Sequence, residues 1–231
     1  MLYNLPEKPV EHCVKQVIRK FPYALWIEGC EGPTMRTFEI DVELKEGSRP
    51  RAMQPFNISA YDQLRVDYMI EEEVALGKRV HFDPNIHRLP EWASSLFIVD
   101  QKGKGVLGRM VAAYMEVNNA TVQVAAAAPD VDRAFRLSSG CRFHTTADLV
   151  WGYSQFDLSP ASQRLFACIS RSGITFPTKA PFGGKTLPAI CQTKNTHEFG
   201  GLIDHDGVSK EPFVVVAIDD FKISSVKYDQ H

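Results

Sequence analysis

An uninterrupted apolar run that ends in two adjacent carboxylates constrains the fold more than any other feature of this sequence. Residues Phe213 to Ile218 are all apolar, and the run stops abruptly at Asp219 and Asp220. A short β-branched run of this kind predicts a strand buried on both faces. Adjacent strand residues point to opposite sides of a sheet, so the two carboxylates share one surface only if the chain bends there. The pattern therefore predicts a sharp turn at Asp219–Asp220, although Asp also favours turns for purely structural reasons.

A second predicted strand also ends at a carboxylate. It covers Arg142 to Asp148. If the two strands are neighbours, Asp148, Asp219 and Asp220 converge at one point. Like charges in such a cluster repel one another unless cations neutralise them. Carboxylate oxygens suit Mg²⁺, and two such ions would leave net positive charge for an anionic triphosphate, which is the logic of two-metal phosphoryl transfer.

Capping residues and periodicity predict the other elements. Ser59, with Asp62 three residues later, predicts the start of a helix, and Gly77 predicts its end. Apolar residues recur between them at helical spacing, at Tyr61, Leu64, Tyr68 and Met69. A strand–turn–strand hairpin with basic residues in its turn is expected from Leu96 to Val111. An alternating strand is expected at Thr37–Leu44, short helices at Asp130–Ser138 and after Ser159, and a further helix from Thr186 to about Gly200.

The composition is that of an ordinary globular protein, with one large domain or two small ones. The chain has 231 residues, 26 Lys and Arg against 28 Asp and Glu, and a formal net charge of -2. It therefore offers no overall basic field for nucleic acid or a membrane surface, and no apolar stretch long enough for a transmembrane helix. The five cysteines contain no CxxC pair, so an intracellular setting is expected, either cytoplasmic or nuclear.

Several motifs, in order and spacing, resemble the reverse transcriptases of gypsy-type LTR retrotransposons. Phe213 to Ser225 resembles the family sequence FVVVYLDDILIFS, and Ala147 to Leu158 resembles LDLKSGYHQIPL. The other matching segments are Gly47–Ala60, Pro90–Ser95 (SPWASP), Leu96–Gly105 (VVLVKKKDG), Arg109–Asn118 (WRFCVDYRALN) and Ala180–Gln192 (MPFGLCNAPATFQ). The resemblance runs over nearly the whole chain, from about Phe21 to His231.

The resemblance implies an α+β fold with the fingers and palm subdomains of a right-hand polymerase. The palm is expected to be a small antiparallel sheet backed by helices. By this resemblance, residues 1–124 and 156–184 are fingers, and residues 125–155 and 185–231 are palm. The family's thumb is expected to be absent from these residues, so a protein partner or a downstream thumb and RNase H region would have to supply it.

The resemblance also implies roles for individual residues. Asp148, Asp219 and Asp220 match the family's catalytic carboxylates, which hold Mg²⁺, or Mn²⁺ in its place, together with a backbone carbonyl near Leu149. Lys102 and Arg109 match the fingers residues that hold the incoming triphosphate, the alternative being two solvated hairpin cations. The remaining matches are Tyr153 (a gate against the ribose 2′-OH, or a core tyrosine), Phe182 (beside the nucleotide sugar) and Gln155 (a structural or template-side position).

The function implied is that of an RNA-directed DNA polymerase, which extends a primer on an RNA or DNA template with dNTPs. Departures from the family support an alternative, a catalytically silent structural or interaction subunit. They include Gly108 in place of Trp, Ala217 in place of Tyr, and Ala113 with Met115 in place of Asp and Arg. An unrelated Mg²⁺-dependent phosphotransferase would fit the carboxylates but would leave the fingers motifs unexplained. The near-neutral charge predicts weak, steeply salt-dependent binding of nucleic acid.

Overall fold

The structure is a computed structural model, and its described residues form two units. It describes residues 38–100, 107–125, 131–200, 213–217 and 219–226, with residues 15, 16, 19 and 20. The larger unit consists of residues 38–100, 107–125 and 153–190, and the smaller unit consists of the remaining described residues. The fingers and palm assignment of chain segments stays a prediction.

From residue 38 to residue 226 the described ranges contain ten strands, five α-helices and one 3₁₀ helix. In chain order they are β1 (Glu39–Ile40), α1 (Ala60–Ala75), β2 (Arg79–His81), β3 (Ser94–Val99), β4 (Arg109–Ala112), α2 (Met115–Ala120), α3 (Val131–Ser138), β5 (Phe143–Asp148), the 3₁₀ helix (Gly152–Gln155), β6 (Asp157–Leu158), α4 (Pro160–Leu165), β7 (Cys168–Ser170), β8 (Gly173–Pro177), α5 (Leu187–Gly200), β9 (Phe213–Ala217) and β10 (Asp220–Ser225). None of the helices in this part of the chain combines the length and apolarity that a membrane crossing requires.

The larger unit is organised around a five-stranded sheet in the order β2-β8-β7-β3-β4. All neighbours are antiparallel except β3 and β7, which are parallel. In the described part of the predicted strand at Thr37–Leu44, the ladder covers Glu39–Ile40, where β1 pairs in parallel with β6. Its alternation is nevertheless kept, because Ile40 and Val42 are buried and the residues between and beside them are exposed.

Helix α1 begins and ends where the sequence predicts. The Ser59 side chain accepts a hydrogen bond from the Asp62 backbone N–H at 3.0 Å, and Gly77 follows the helix with a φ of 66°. A serine in this position satisfies one of the unpaired N–H groups of the first turn. The apolar stripe of the helix, however, faces solvent: Leu64 is 69% exposed and Tyr68 is 56% exposed. The helix instead buries Arg65, Val66 and Ile70.

Replacing the capping serine measures how much α1 depends on it. We expect Ser59→Ala to lower the free energy of unfolding by about 1 kcal/mol, because the first turn loses its side-chain acceptor. Urea unfolding measures the change. Ser59→Asn, which keeps an acceptor at the cap, should stay within roughly half a kcal/mol of the parent. Equal losses in both variants would show that the cap contributes nothing.

A buried arginine links α1 to the sheet of the larger unit. Arg79 is 5% exposed, and it donates hydrogen bonds to Glu73 Oε2 at 2.8 Å and to Thr175 Oγ1 at 3.0 Å. Burial acts to lower the pKa of Arg79, but the neighbouring Cys168, Glu73 and Tyr114 outweigh it, so that the pKa lies above its usual range. Arg79 is therefore a permanent buried charge, and its compensation depends on Glu73.

The smaller unit contains a three-stranded antiparallel sheet in the order β5-β10-β9. Helix α5 packs against it: the Phe199 and Phe221 ring centroids lie 4.6 Å apart, and Gln192 Nε2 donates to the Val216 carbonyl at 3.1 Å. The prediction of a strand buried on both faces is wrong for β9, because Val216 alone is buried among residues 214–217. Of the described strands, only β10 pairs with β9, which therefore lies at an edge of this sheet.

Candidate functional site

The predicted carboxylates lie at one end of the sheet of the smaller unit. Strand β10 pairs antiparallel with β5, and Asp220 is directly opposite Asp148. Side chains opposite each other on paired strands face the same side, with Cβ atoms about 4.5–5.5 Å apart. Asp219 lies in the turn that precedes β10. The strand before the turn, β9, is not a neighbour of β5 in this sheet, because β10, the strand after the turn, lies between them.

The turn that follows β5 holds the backbone of Asp219. The Leu149 N–H donates to the Asp219 carbonyl at 2.8 Å, and the Gly152 N–H donates to the Leu149 carbonyl at 3.1 Å. Trp151 between them has a φ of 53°, a left-handed conformation that residues other than glycine rarely adopt. A Cβ on Gly152 would lie 2.8 Å from the Cβ of Asp219. The turn therefore approaches Asp219 so closely that residue 152 has no room for a side chain.

The carboxylate oxygens at this end of the sheet are of the chemical type that binds divalent cations. Asp148 and Asp220 are exposed and Asp219 is half-buried, so that carboxylate oxygens, the hard ligands that Mg²⁺ prefers, are accessible to solvent. Within the described residues, however, no three His, Cys, Asp or Glu side chains are close enough together to hold a metal ion. These residues have the ligand atoms that Mg²⁺ prefers, and the strand register places Asp148 opposite Asp220. In the described part of the chain, however, the side chains do not lie close enough together to surround an ion.

The residues predicted to bind a nucleotide form a cluster in the larger unit. The Arg109 guanidinium carbon lies 4.5 Å from the centroid of the Phe182 ring, and the Tyr153 ring meets Phe182 edge-on at 4.9 Å. Phe182 is 51% exposed, Arg109 is exposed and Tyr153 is half-buried. The structure thus brings together three of the four predicted residues. The fourth, Lys102, lies outside the described residues.

Gln155 is buried, and its surroundings favour a structural role over a contact with the template. It is 7% exposed at the end of the 3₁₀ helix, beside the fully buried Phe156. A buried amide is usually held by hydrogen bonds within the protein. A template-side contact would need a more accessible side chain, so a structural role explains this position best.

Asn118 holds the loop that carries Phe182, and sequence reasoning did not single it out. Its Nδ2 donates to the Gly183 carbonyl at 2.8 Å, and its Oδ1 accepts from the Lys185 N–H at 2.8 Å. One side-chain amide therefore satisfies two backbone groups of the loop at residues 181–185. Gly183 has a φ of 97°, which favours glycine there. Asn118 is the last residue of the Arg109–Asn118 motif, and its place in that motif is the feature of the sequence that could have pointed to it.

Comparison with solved structures identifies a class: the chain has the fold of part of a viral protease–reverse transcriptase. A mutant of the Prototype Foamy Virus protease–reverse transcriptase matches with a TM-score of 0.72 and 21% identity, covering 99% of this chain and 28% of that one. The foamy viral enzyme in complex with an RNA/DNA hybrid matches with a TM-score of 0.73 and 16% identity, covering 97% and 28%. A form of it in complex with double-stranded DNA has a TM-score of 0.74 and 17% identity, covering 97% and 37%. At these identities the likeness concerns the fold.

Two of the curated proteins that are similar to this chain in sequence are also viral. The enzymatic polyprotein of cauliflower mosaic virus is 25% identical over 198 residues in strain Strasbourg and 26% identical over 200 residues in strain NY8153. Each match covers 86% of this chain and 27% of the polyprotein. The chain therefore spans little more than a quarter of these relatives. No protein-family model matches it. These findings support a reverse transcriptase-like region, while the narrower likeness to gypsy-type elements stays a prediction.

Proposed function

We propose that this chain is the fingers–palm module of a reverse transcriptase, which transfers a nucleotide from a dNTP to a primer 3′-OH. The observation that carries the proposal is the placement of Asp220 directly opposite Asp148, with Asp219 in the adjoining turn. Like charges opposite each other on paired strands destabilise a sheet. A protein that keeps such a pair at an accessible strand end has a use for it, and binding of a cation is the use that fits carboxylates.

In this proposal Asp148, Asp219 and Asp220 hold Mg²⁺, with Mn²⁺ as a substitute and a backbone carbonyl near Leu149 as a further ligand. When bound, the metal supplies charge stabilisation for the attacking and leaving oxygens of the phosphoryl transfer. The turn at residues 149–152 contributes by holding the Asp219 backbone through the Leu149 N–H. Positioning and electrostatics, without a covalent intermediate, account for the rate.

The larger unit contributes nucleotide binding in this proposal. The planar guanidinium of Arg109 is suited to the oxygens of a triphosphate, and its position over the Phe182 ring orients it without neutralising its charge. Phe182 would lie beside the sugar, and Tyr153, packed against it, would exclude a ribose 2′-OH. Lys102 is proposed as the second triphosphate ligand on the grounds of the sequence resemblance alone.

The proposed partners are a primed RNA or DNA template and dNTPs. The support comes from the matching foamy viral structures, which contain an RNA/DNA hybrid and double-stranded DNA. We further propose that a partner or another part of a longer polyprotein supplies a thumb. The chain's own balance of 26 basic and 28 acidic residues predicts weak binding that weakens further as salt rises.

A primer-extension assay tests the proposal. The full chain is incubated with a DNA primer on an RNA or a DNA template, the four dNTPs, and either Mg²⁺ or EDTA, at low salt. We expect short, metal-dependent extension products. Absence of extension at any metal concentration, together with no effect of Mg²⁺ or Mn²⁺ on the melting temperature, would favour the silent interaction subunit. The open arrangement of the carboxylates within the described residues is the observation that favours that alternative.

A further inference from the structure

A buried arginine on α1 contacts both ends of the connection between β3 and β4. Arg65 is 7% exposed. Its Nη2 donates to Asp100 Oδ1 at 2.7 Å, where the chain has just left β3, and its Nε donates to the Leu107 carbonyl at 3.0 Å, shortly before β4 begins. Its Nη1 donates to Asp62 Oδ1 at 2.9 Å, one turn earlier in α1. One guanidinium thus joins the helix to two points that are seven residues apart in the sequence.

The chain has no side chain at the point where Arg65 meets the hairpin. Gly108 has a φ of 66°, and a Cβ built on it would lie 2.6 Å from Arg65 Nη2 and 2.8 Å from the Val99 carbonyl oxygen. The carbonyl belongs to the paired strand and cannot move aside. Glycine at this position, one of the departures noted in the sequence, therefore makes room for the arginine.

Arg109, the residue after Gly108, connects this contact to the cluster formed by Arg109, Phe182 and Tyr153. Arg109 begins β4 opposite Val99, and its guanidinium lies over the Phe182 ring. The backbone that carries Arg109 is therefore held on one side by pairing with β3 and immediately upstream by Arg65, through the Leu107 carbonyl. Of these contacts, the hydrogen bond to Asp62 is the one made within α1. The contacts with Asp100 and Leu107 are directed at the hairpin.

We propose that Arg65 is a positioning residue for Arg109: it holds the base of the β3–β4 hairpin so that Arg109 stays over Phe182, and Gly108 makes its approach possible. Insofar as the ligand of Arg109 is a triphosphate, the inference rests on the proposed function. The mechanical part, which concerns only how the hairpin base is held, is independent of any activity.

Hydrogen exchange of the full chain tests the mechanical part. In Arg65→Met, a neutral side chain of similar length, amides of β4 and of the end of β3 should exchange about tenfold faster or more, because charged hydrogen bonds to the hairpin are lost. Amides of β7 and β8 should change little. The matched control is Arg51→Met, which removes an exposed arginine paired with Glu116 in the same unit. Arg65→Lys, with one compact donor group, should lie between the parent and Arg65→Met.

A second variant distinguishes a local effect on the hairpin from a general loss of stability in Arg65→Met. Asp100→Asn changes a carboxylate that is 87% exposed and leaves Arg65 paired with Asp62. It should raise exchange at the hairpin base by a smaller factor, with β7 and β8 unaffected. Exchange that rises equally throughout the sheet in Arg65→Met, with no local change in Asp100→Asn, would overturn the proposal. So would exchange at the hairpin that is the same in Arg65→Met as in Arg51→Met.

The KM and kcat of primer extension test the role of Arg65 in nucleotide binding separately from its role in holding the hairpin. If the parent extends primers, Arg65→Met should raise the KM for dNTP about tenfold while kcat changes far less, because Arg65 acts on nucleotide binding through Arg109. A fall in kcat with unchanged KM would contradict a positioning role. If the parent extends no primer, the proposed function fails, and the exchange measurements still decide whether Arg65 holds the hairpin.

Discussion

Asp220→Asn is expected to abolish metal-dependent primer extension without making the protein less stable. Activity should fall at least about 100-fold, because the proposed site loses one of the three carboxylates that would hold the metal. Stability should stay the same or rise by about 0.2–1 kcal/mol, because Asp220 lies directly opposite Asp148 and their repulsion is relieved. Primer extension and urea unfolding of the same preparation measure the two effects, which have opposite signs.

A loss of activity without a loss of stability distinguishes a functional carboxylate from a structural one. Glu46→Gln, at an exposed acidic residue in a turn, is the matched control and should leave both quantities unchanged. In addition, Mg²⁺ should raise the melting temperature of the parent and not that of Asp148→Asn combined with Asp220→Asn. Extension that survives Asp219→Ala combined with Asp220→Ala would refute the assignment of the site.

Glu73→Gln is expected to destabilise the protein strongly, although Glu73 is accessible to solvent. It leaves the buried charge of Arg79 without its carboxylate partner, and breaking a buried pair in this way costs about 3–5 kcal/mol. Glu73 is 38% exposed, so solvent reaches the pair and the expected loss is closer to about 2–3 kcal/mol. Equilibrium unfolding in urea measures it.

The same helix provides the control for this prediction. Glu71 pairs with His81 at 3.0 Å, and their side chains are 68% and 50% exposed. Glu71→Gln should change the free energy of unfolding by less than about 1 kcal/mol, as expected of an exposed pair. If the two glutamate variants proved equally mild, Arg79 would have to draw its compensation from elsewhere, and the importance of Glu73 would be disproved.

The sequence predicts the elements of this fold better than their burial. Helix α1 was located by its Ser59 cap and by Gly77, and both are confirmed. The apolar stripe that helped to identify the helix faces solvent, whereas the buried face contains Arg65. Spacing along a helix shows that residues share a face, but it does not show which neighbour covers that face. The same limit explains β9, whose apolar run was predicted to be buried on both sides.

Part of the candidate sites could be found from sequence because it consists of unusual residues in a recognisable order. Asp148, Asp219 and Asp220 stand at strand ends, and Arg109, Tyr153 and Phe182 stand in motifs that the resemblance covers. The residues that support them could not be found in this way. Asn118, Gly152 and Gly108 each lie close to residues distant in the chain, and no local pattern encodes such contacts.

The sequence by itself determined where helices such as α1, α3 and α5 and strands such as β5 and β9 lie, and that one turn carries two carboxylates, because caps, periodicity and turn chemistry act over a few neighbouring residues. It did not predict β2, α2, β6, β7 or β8. Only the tertiary structure decided that Asp148 faces Asp220 across β5 and β10, that Arg109 lies over Phe182, and that Arg65 reaches the base of the hairpin. These relations depend on strand register and on the space between side chains. Both are set by contacts among residues far apart in the chain, where a shift of one residue would turn each carboxylate to the other face.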